Sequence, residues 1–347
     1  MSPSFNELID AAPVQEIDLD SVPIDTVFLK PSEMLCDLVD PASENGGPLL
    51  LGYVAVGGGG RLFMPHWEKG IYMIDWHTGQ AELRYPVGKA PGEMLPSTLP
   101  TISAQDPYII LEDPSFIHFY DSTLHHLRSV FNVGAYAQWP NTYLADSLLI
   151  TTLNPTRPGT RLNAYLVDDI YTKGSQAIPR RSFFEEVFPP TAPQRIYNNL
   201  YFHGNNGRLV SKYMGSPFLF VTDLAGDVVA TIRIYSHLIP NAIPHDPEEP
   251  YTDTPGKPLK YHDPIRYNMR LHPDRDVSLN VDGTYYHLES LDGKYTAKKA
   301  MAFMDTLSLG GPVRPNLVFV TDFDRNFLYF THIGTVSECL YRVAMDW

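Results

Sequence analysis

An all-β fold, a six-bladed β-propeller built of four-stranded antiparallel blades, is the class this sequence predicts, and three observations carry the prediction. Pro (31) outnumbers Lys plus Arg (26) in 347 residues, and Pro lacks an N–H and clashes with the preceding turn of a helix. Apolar residues make up 44%, with 17 Phe and 21 Tyr, types that suit a pleated, half-buried surface. A strand that ends in an acidic residue and a turn recurs at intervals of 46, 47, 55, 66 and 57 residues. A period near that range, with about four strands per unit, marks a propeller. A β-sandwich or two smaller β-domains compete with this reading, and the four-strand recurrence disfavours them.

The elements follow in order. Ser4–Glu7 reads as a capping box, so residues 1–13 are a tail or short helix and residues 14–347 a single propeller domain. The clearest unit spans Tyr53–Val87. Its four runs are Tyr53–Val56, Arg61–Pro65, Ile71–Asp75 and Ala81–Val87, separated by the turn signals Gly57–Gly60, Glu68–Gly70 and His77–Gln80. Short strands with tight turns build an up-and-down sheet. The acidic mark that closes the third strand is Asp75, then Asp121, Asp168, Asp223, Glu289 and Asp346, which counts six blades. Uneven intervals are tolerable because surface loops lengthen at low entropic cost.

The last unit stops at its third strand, which would leave an open edge. Val14–Asp20 alternates and precedes the first blade, so it is expected to complete the sixth and close the ring. Closure brings Cys36 and Cys339 into one region, with two buried thiols as the favoured reading and a disulfide as the other.

The chain carries a formal net charge of −14 and no Lys/Arg run longer than two. That field repels a phosphate backbone, so nucleic acid is an unsuited partner. No stretch is long and apolar enough for a spanning helix, and no leader pattern stands in the given sequence. The chain is expected to be a monomer with no cofactor. HExxH, GxSxG, Walker A and GxGxxG motifs are absent. Gly57–Gly60 precedes a strand, whereas a phosphate loop needs a helix after it.

Val87-Gly-Lys-Ala-Pro-Gly-Glu93 resembles the G-x-GPGE segment of six-bladed TolB-like or NHL-like propellers of the Bacteroidetes type, with Ala90 where those carry Gly. The resemblance implies a six-bladed propeller, often exported, and so an extracytoplasmic location. Glu93 is expected to pin the blade link by accepting backbone N–H bonds.

Longer segments, namely 88–99, 154–161, 185–198 and 236–263, are expected at the end of the disk that carries the blade-to-blade links. Loops relieved of structural duty carry function more often than packed strands. In or beside these segments lie Arg157, Arg161, Arg195, Arg266 and Arg314, with Trp139, Tyr197, Tyr251, Tyr261 and Tyr267. Guanidinium forks match carboxylate or phosphate oxygens, and aromatic rings add stacking. Surface ion pairing is the competing reading. If Tyr267–Leu271 is an innermost strand, Arg270 points toward the channel. His245-Asp246, His262-Asp263 and His272-Pro-Asp274 pair imidazole with carboxylate, but the adjoining Pro residues favour turns over a metal. His125 and His126, neighbours in an expected strand, face opposite sides.

The function expected is a non-catalytic propeller that binds a small molecule, a glycan or a protein over the channel, with an anionic or carbohydrate-like ligand favoured. Candidate contacts are Arg157, Arg161, Arg195, Arg266, Arg270, Trp139 and His262. The alternative is a calcium-dependent, lactonase-like hydrolase or a lyase, with Glu93, Asn141, Asn199 and Asp263 as metal ligands.

Overall fold

Alternation along the strands decides which sheets meet. The computed structural model describes residues 5–28, 34–36, 38–49, 54–57, 60–66, 68–95, 101–105, 107–133, 142–152, 162–184, 200–213, 216–237, 269–272, 276–281, 284–304, 317–323, 327–333 and 338–344. Among them the strands form six hydrogen-bonded sheets of four or five strands, and the chain divides into two compact units.

The first unit takes in Met1–Asp25, Asn141–Val167 and Ile178–Ala302. Its first sheet runs Thr142–Ala145, Leu148–Thr152, Leu162–Leu166, Arg181–Phe183. Its second runs Leu200–Asn205, Arg208–Tyr213, Phe218–Asp223, Val228–Tyr235. Its third begins Met269–Leu271, Val277–Val281, Thr284–Leu291. The opening strands stand side by side, Thr142–Ala145 next to Leu200–Asn205 and that next to Met269–Leu271. In the middle sheet, Phe218 and Phe220 pack with Tyr143, Ile150 and Leu162. Leu219 and Val221 point the other way, to Leu279, Val281 and Tyr286. A period of two thus serves two neighbours, and each fully buried side chain contributes roughly 1.5–3 kcal/mol.

The second unit takes in Thr26–Pro140, Asp168–Ala177 and Phe303–Trp347. Its middle sheet is Ala55–Val56, Arg61–His66, Gly70–Asp75 and Ala81–Pro86. Leu62, Met64 and Ile74 pack with Leu340 and Leu35. Phe63 and Ile71 pack on the opposite side with Ile102, Leu111 and Tyr120. Those last belong to the sheet Thr101–Gln105, Tyr108–Glu112, Phe116–Asp121, His126–Phe131.

The fold is an all-β propeller of antiparallel four-stranded blades. Among the described residues the blades count five, not the expected six. The acidic marks counted sheets, and not every sheet is a regular blade. The Thr142–Phe183 sheet interrupts its third-to-fourth turn with the helix Val167–Lys173 and ends in a three-residue strand. The Ala55–Pro86 sheet opens with only two residues.

The closing strand also differs from expectation. Val14–Asp18 lies parallel to Val228–Tyr235, as a fifth, outer strand, with Val14 opposite Thr231 and Asp18 opposite Tyr235. The sheet of the C-terminal strands is completed by Met34–Cys36 instead, antiparallel to Glu338–Ala344. Cys36 faces Cys339 in that register, and the two form a disulfide. The favoured pair of buried thiols is thereby corrected, because direct cross-strand pairing holds the two Cα atoms 4.3 Å apart.

Three of the six acidic marks prove to be turn closers. Asp75 Oδ1 accepts the N–H groups of His77 (2.8 Å) and Thr78 (2.9 Å). Asp121 Oδ1 accepts those of Thr123 (2.8 Å) and His125 (2.9 Å), and Asp223 Oδ1 that of Asp227 (3.0 Å). These are Asx turns, which tie a carboxylate to the backbone just beyond it. Glu289 has another role: its strand continues to Leu291, and Asp292 and Gly293 make the turn at positive φ.

Candidate functional site

Of the expected arginine face, the described residues include Arg270. Met269–Leu271 is a three-residue strand, buried throughout, that opens its sheet and pairs Arg270 with Ser278. Arg270 is only 8% exposed, and its Nη1 donates to the Met269 carbonyl at 3.1 Å. The neighbouring opening strand holds this one in place. His203 Nδ1 accepts the Leu271 N–H at 3.1 Å, and Asn205 Nδ2 donates to the Leu271 carbonyl at 3.1 Å. Burial pushes His203 well below its ordinary value, and the charges of Arg270 and His272 add to the depression. The ring is therefore neutral at neutral pH, with its proton on Nε2. Burial pushes the Tyr285 hydroxyl up, against the opposing pull of Asn280 and Arg270. His272 Nε2 lies 3.0 Å from Ser278 Oγ. His287 Nε2 lies 2.7 Å from Asp276 Oδ2, and Asp276 Oδ1 accepts the Ser290 N–H. Arg270 is thus a buried guanidinium on a strand whose neighbours also carry buried polar side chains.

Arg157, Arg161, Arg195, Arg266, Arg314, Trp139 and His262 lie outside the described residues, as do Tyr197, Tyr251, Tyr261, Tyr267, His245 and Asp246. Of the alternative metal ligands, Asn141, Asn199 and Asp263 lie outside as well. Glu93 is described. Its Oε2 accepts the Ala90 N–H at 2.8 Å, while its own N–H donates to the Ala90 carbonyl at 2.9 Å. The glycines around it are required. A Cβ on Gly88 would sit 1.9 Å from Glu93 Oε2, and Gly92 has φ +85° with its Cα against the His126 side chain. Tyr120 Oη donates to the Gly92 carbonyl at 2.5 Å. Glu93 thus holds the link closed on itself. Among the described residues no group of three or more His, Cys, Asp and Glu side chains is placed to hold a metal.

Sequence reasoning missed a second polar line, in the other unit. Asp113 sits in the turn between the strands Tyr108–Glu112 and Phe116–Asp121 and is fully buried. Its Oδ1 accepts the N–H groups of Ser115 and Phe116, both at 2.7 Å. Its Oδ2 lies 3.3 Å from both His118 Nε2 and the Leu95 nitrogen. Burial alone would raise the Asp113 pKa, but bonds from His118, Phe116, Ser115 and Leu95 outweigh it and hold the carboxyl below its ordinary value. His118 Nδ1 lies 2.8 Å from Ser129 Oγ, and His126 Nε2 lies 2.8 Å from the same oxygen.

A β-bulge makes this meeting happen. Phe119 pairs with Arg128 but Tyr120 pairs with His126, so Leu127 is the extra residue. The inserted residue shifts the parity, and His126 joins Ser129 on one face although three positions separate them. His125, expected in the strand, instead sits in the turn, exposed, against Asp121. The one available sequence signal was Asp113 in a turn with His118 five residues on; the bulge leaves no mark in the letters.

No family model matches the chain, and no curated protein matches it. Solved structures similar to it include the β-propeller domain of Cps50 (Swd1) from Myceliophteria thermophila, at 11% identity over 85% of this chain and 98% of that one, TM-score 0.46. The RRP9 WD40 repeats match at 10% identity over 90% and 98%, TM-score 0.46. U3-55K matches at 9% identity over 91% and 100%, TM-score 0.45. The chain is a β-propeller with WD40-type structural neighbours, and the narrower TolB-like, NHL-like or Bacteroidetes-type resemblance finds no support among them.

Proposed function

We propose that this protein is a binding propeller whose loop-rich face takes an anionic or carbohydrate-like ligand. The observation that supports the reading best is Arg270, a buried cation on an opening strand of a chain of net charge −14. A guanidinium in low-dielectric surroundings attracts a carboxylate or phosphate more strongly than one in water. Arg157, Arg161, Arg195, Arg266, Trp139 and His262 are the further contacts this reading assigns to the ligand. The Cys36–Cys339 disulfide supports an extracytoplasmic location, because such bonds persist in oxidising compartments.

The test is a thermal-shift screen of the intact chain with dicarboxylates, inorganic phosphate and uronic-acid oligosaccharides. A true ligand at 100 times its Kd stabilises by about 2.7 kcal/mol. Arg161→Ala and Arg266→Ala are each expected to weaken the best hit about tenfold or more. A screen without hits, or a hit that binds both variants as tightly as the parent, overturns the reading.

A further inference from the structure

A half-buried serine and a buried histidine on the hairpin Phe116–Phe131 stand in line with a fully buried aspartate in the turn just before it. We propose that Ser129 is a nucleophile, activated by His118 and acylated by esters with an aromatic or similarly flat apolar group. Three features of the geometry carry this.

The first is the proton path. Asp113 accepts two backbone N–H groups on one oxygen and faces His118 Nε2 with the other, at 3.3 Å. A carboxylate in that position holds the imidazole proton on Nε2. The lone pair of Nδ1 then faces Ser129 Oγ at 2.8 Å, within the range at which a base takes a hydroxyl proton. His118 is 3% exposed, so the ring is locked in that orientation. The two ring nitrogens exchange the roles they have in the familiar arrangement, which leaves the chemistry unchanged.

The second is the group beside the oxygen. His126 Nε2 lies 2.8 Å from Ser129 Oγ. A donor at that nitrogen bonds the serine oxygen itself and turns the hydroxyl proton toward His118 Nδ1. The third is a platform for the substrate. Phe131 lies two residues past Ser129 on the same strand face and pairs with Phe116. The two rings meet edge to face at 6.2 Å, and Phe116 lies 5.9 Å from the His118 ring. They remain 42% and 37% exposed, a small aromatic shelf next to the serine.

The reaction balances with water alone. Ser129 Oγ bonds to the ester carbonyl carbon as its proton passes to His118 Nδ1. The carbonyl–oxygen bond to the leaving alcohol or phenol then breaks, and His118 returns the proton to that oxygen. Water next attacks the acyl-serine, His118 takes a proton from it, and the carboxylic acid leaves as the proton goes back to Ser129 Oγ. Asp113 touches no substrate and is a positioning residue. The inference is independent of the ligand reading above and concerns the other unit.

The test treats the full chain with p-nitrophenyl acetate and, separately, with a fluorophosphonate, and locates the adduct by peptide mass spectrometry. The expected result is one adduct on Ser129, lost in Ser129→Ala. Labelling should fall at least tenfold in Asp113→Asn and return in part in Asp113→Glu. No adduct, an adduct elsewhere, or Asp113→Asn labelling at the parent rate overturns the proposal. The adduct position on the unmodified chain decides the matter even where Ser129→Ala fails to fold.

Discussion

Single residues here act through burial, and His203 shows the consequence most directly. Its pKa lies well below 6.5 in the folded chain, through burial first and then the charges of Arg270 and His272. The unfolded chain binds a proton near 6.5, so below that pH it holds more protons than the folded one. Stability is therefore full above about pH 6.5 and falls as pH drops toward the folded value, by about 1.4 kcal/mol per pH unit for one such group. His66 and His126 are depressed by burial in the same sense. The carboxylates fall in another window. Asp121, bonded by Thr123 and His125, is lowered to about 2 and loses its contribution only in strong acid. Urea titrations at pH 7 and pH 5 should show His203→Gln losing less stability on acidification than the parent, since the amide oxygen still accepts the Leu271 N–H. Equal losses in parent and variant count against it. At this scale the letters were partly readable. Asp75, Asp121 and Asp223 announced turns because a carboxylate followed by a turn has a local cause. Ser129, His118 and His126 stayed hidden because their meeting depends on a bulge at Leu127, set by pairing across the hairpin.

Strands were legible as strands but not as partners. The runs read from Arg61–Pro65 and Ile71–Asp75 match Arg61–His66 and Gly70–Asp75 almost to the residue. Their hydrophobic spacing is a local property. Val14–Asp18 also alternates, yet alternation says that one face is buried and not against what. The strand lies on an outer edge, where Ile17 is its one buried side chain. Gln15 ties it to the next sheet, donating to the Gly293 carbonyl at 2.8 Å and accepting the Tyr295 N–H at 2.7 Å. Met34–Cys36 is only three residues long, too short for any period to appear. Its role was written in Cys36 alone. A contrast of neighbours follows for the outer strand. Ile17→Ala empties a site packed among Leu19, Ile232 and Ile234 and is expected to cost about 2–4 kcal/mol. Glu16→Ala removes an exposed carboxylate bonded to Tyr235 Oη at 2.7 Å and should cost under about 1 kcal/mol. Denaturant midpoints measure both, and similar values for the two would mean the strand does not pack as described.

Across the whole molecule the disulfide is the constraint of longest reach. Cys36 and Cys339 stand 303 positions apart, so the bond closes nearly the entire chain into one loop. Loop-closure entropy rises only with the logarithm of length, which puts the denatured-state penalty at about 5–6 kcal/mol for a loop this long. Residual order in the unfolded chain reduces that figure. Locally the bond secures a three-residue strand, which has few ladder hydrogen bonds of its own, to Glu338–Ala344. Leu35 lies in the same cluster as Leu62, Met64 and Leu340, so losing the strand also uncovers apolar surface of the middle sheet. An unfolding entropy near 2.1 cal/mol/K per residue converts the penalty into a drop of about 5–8 °C in Tm. Reduction with dithiothreitol and the Cys36→Ser/Cys339→Ser variant should therefore lower Tm alike. A reductant that leaves the variant unaffected but lowers the parent isolates the bond as the cause. A parent insensitive to reductant would show that the packing around Leu35 and Leu340 alone holds the closing strand.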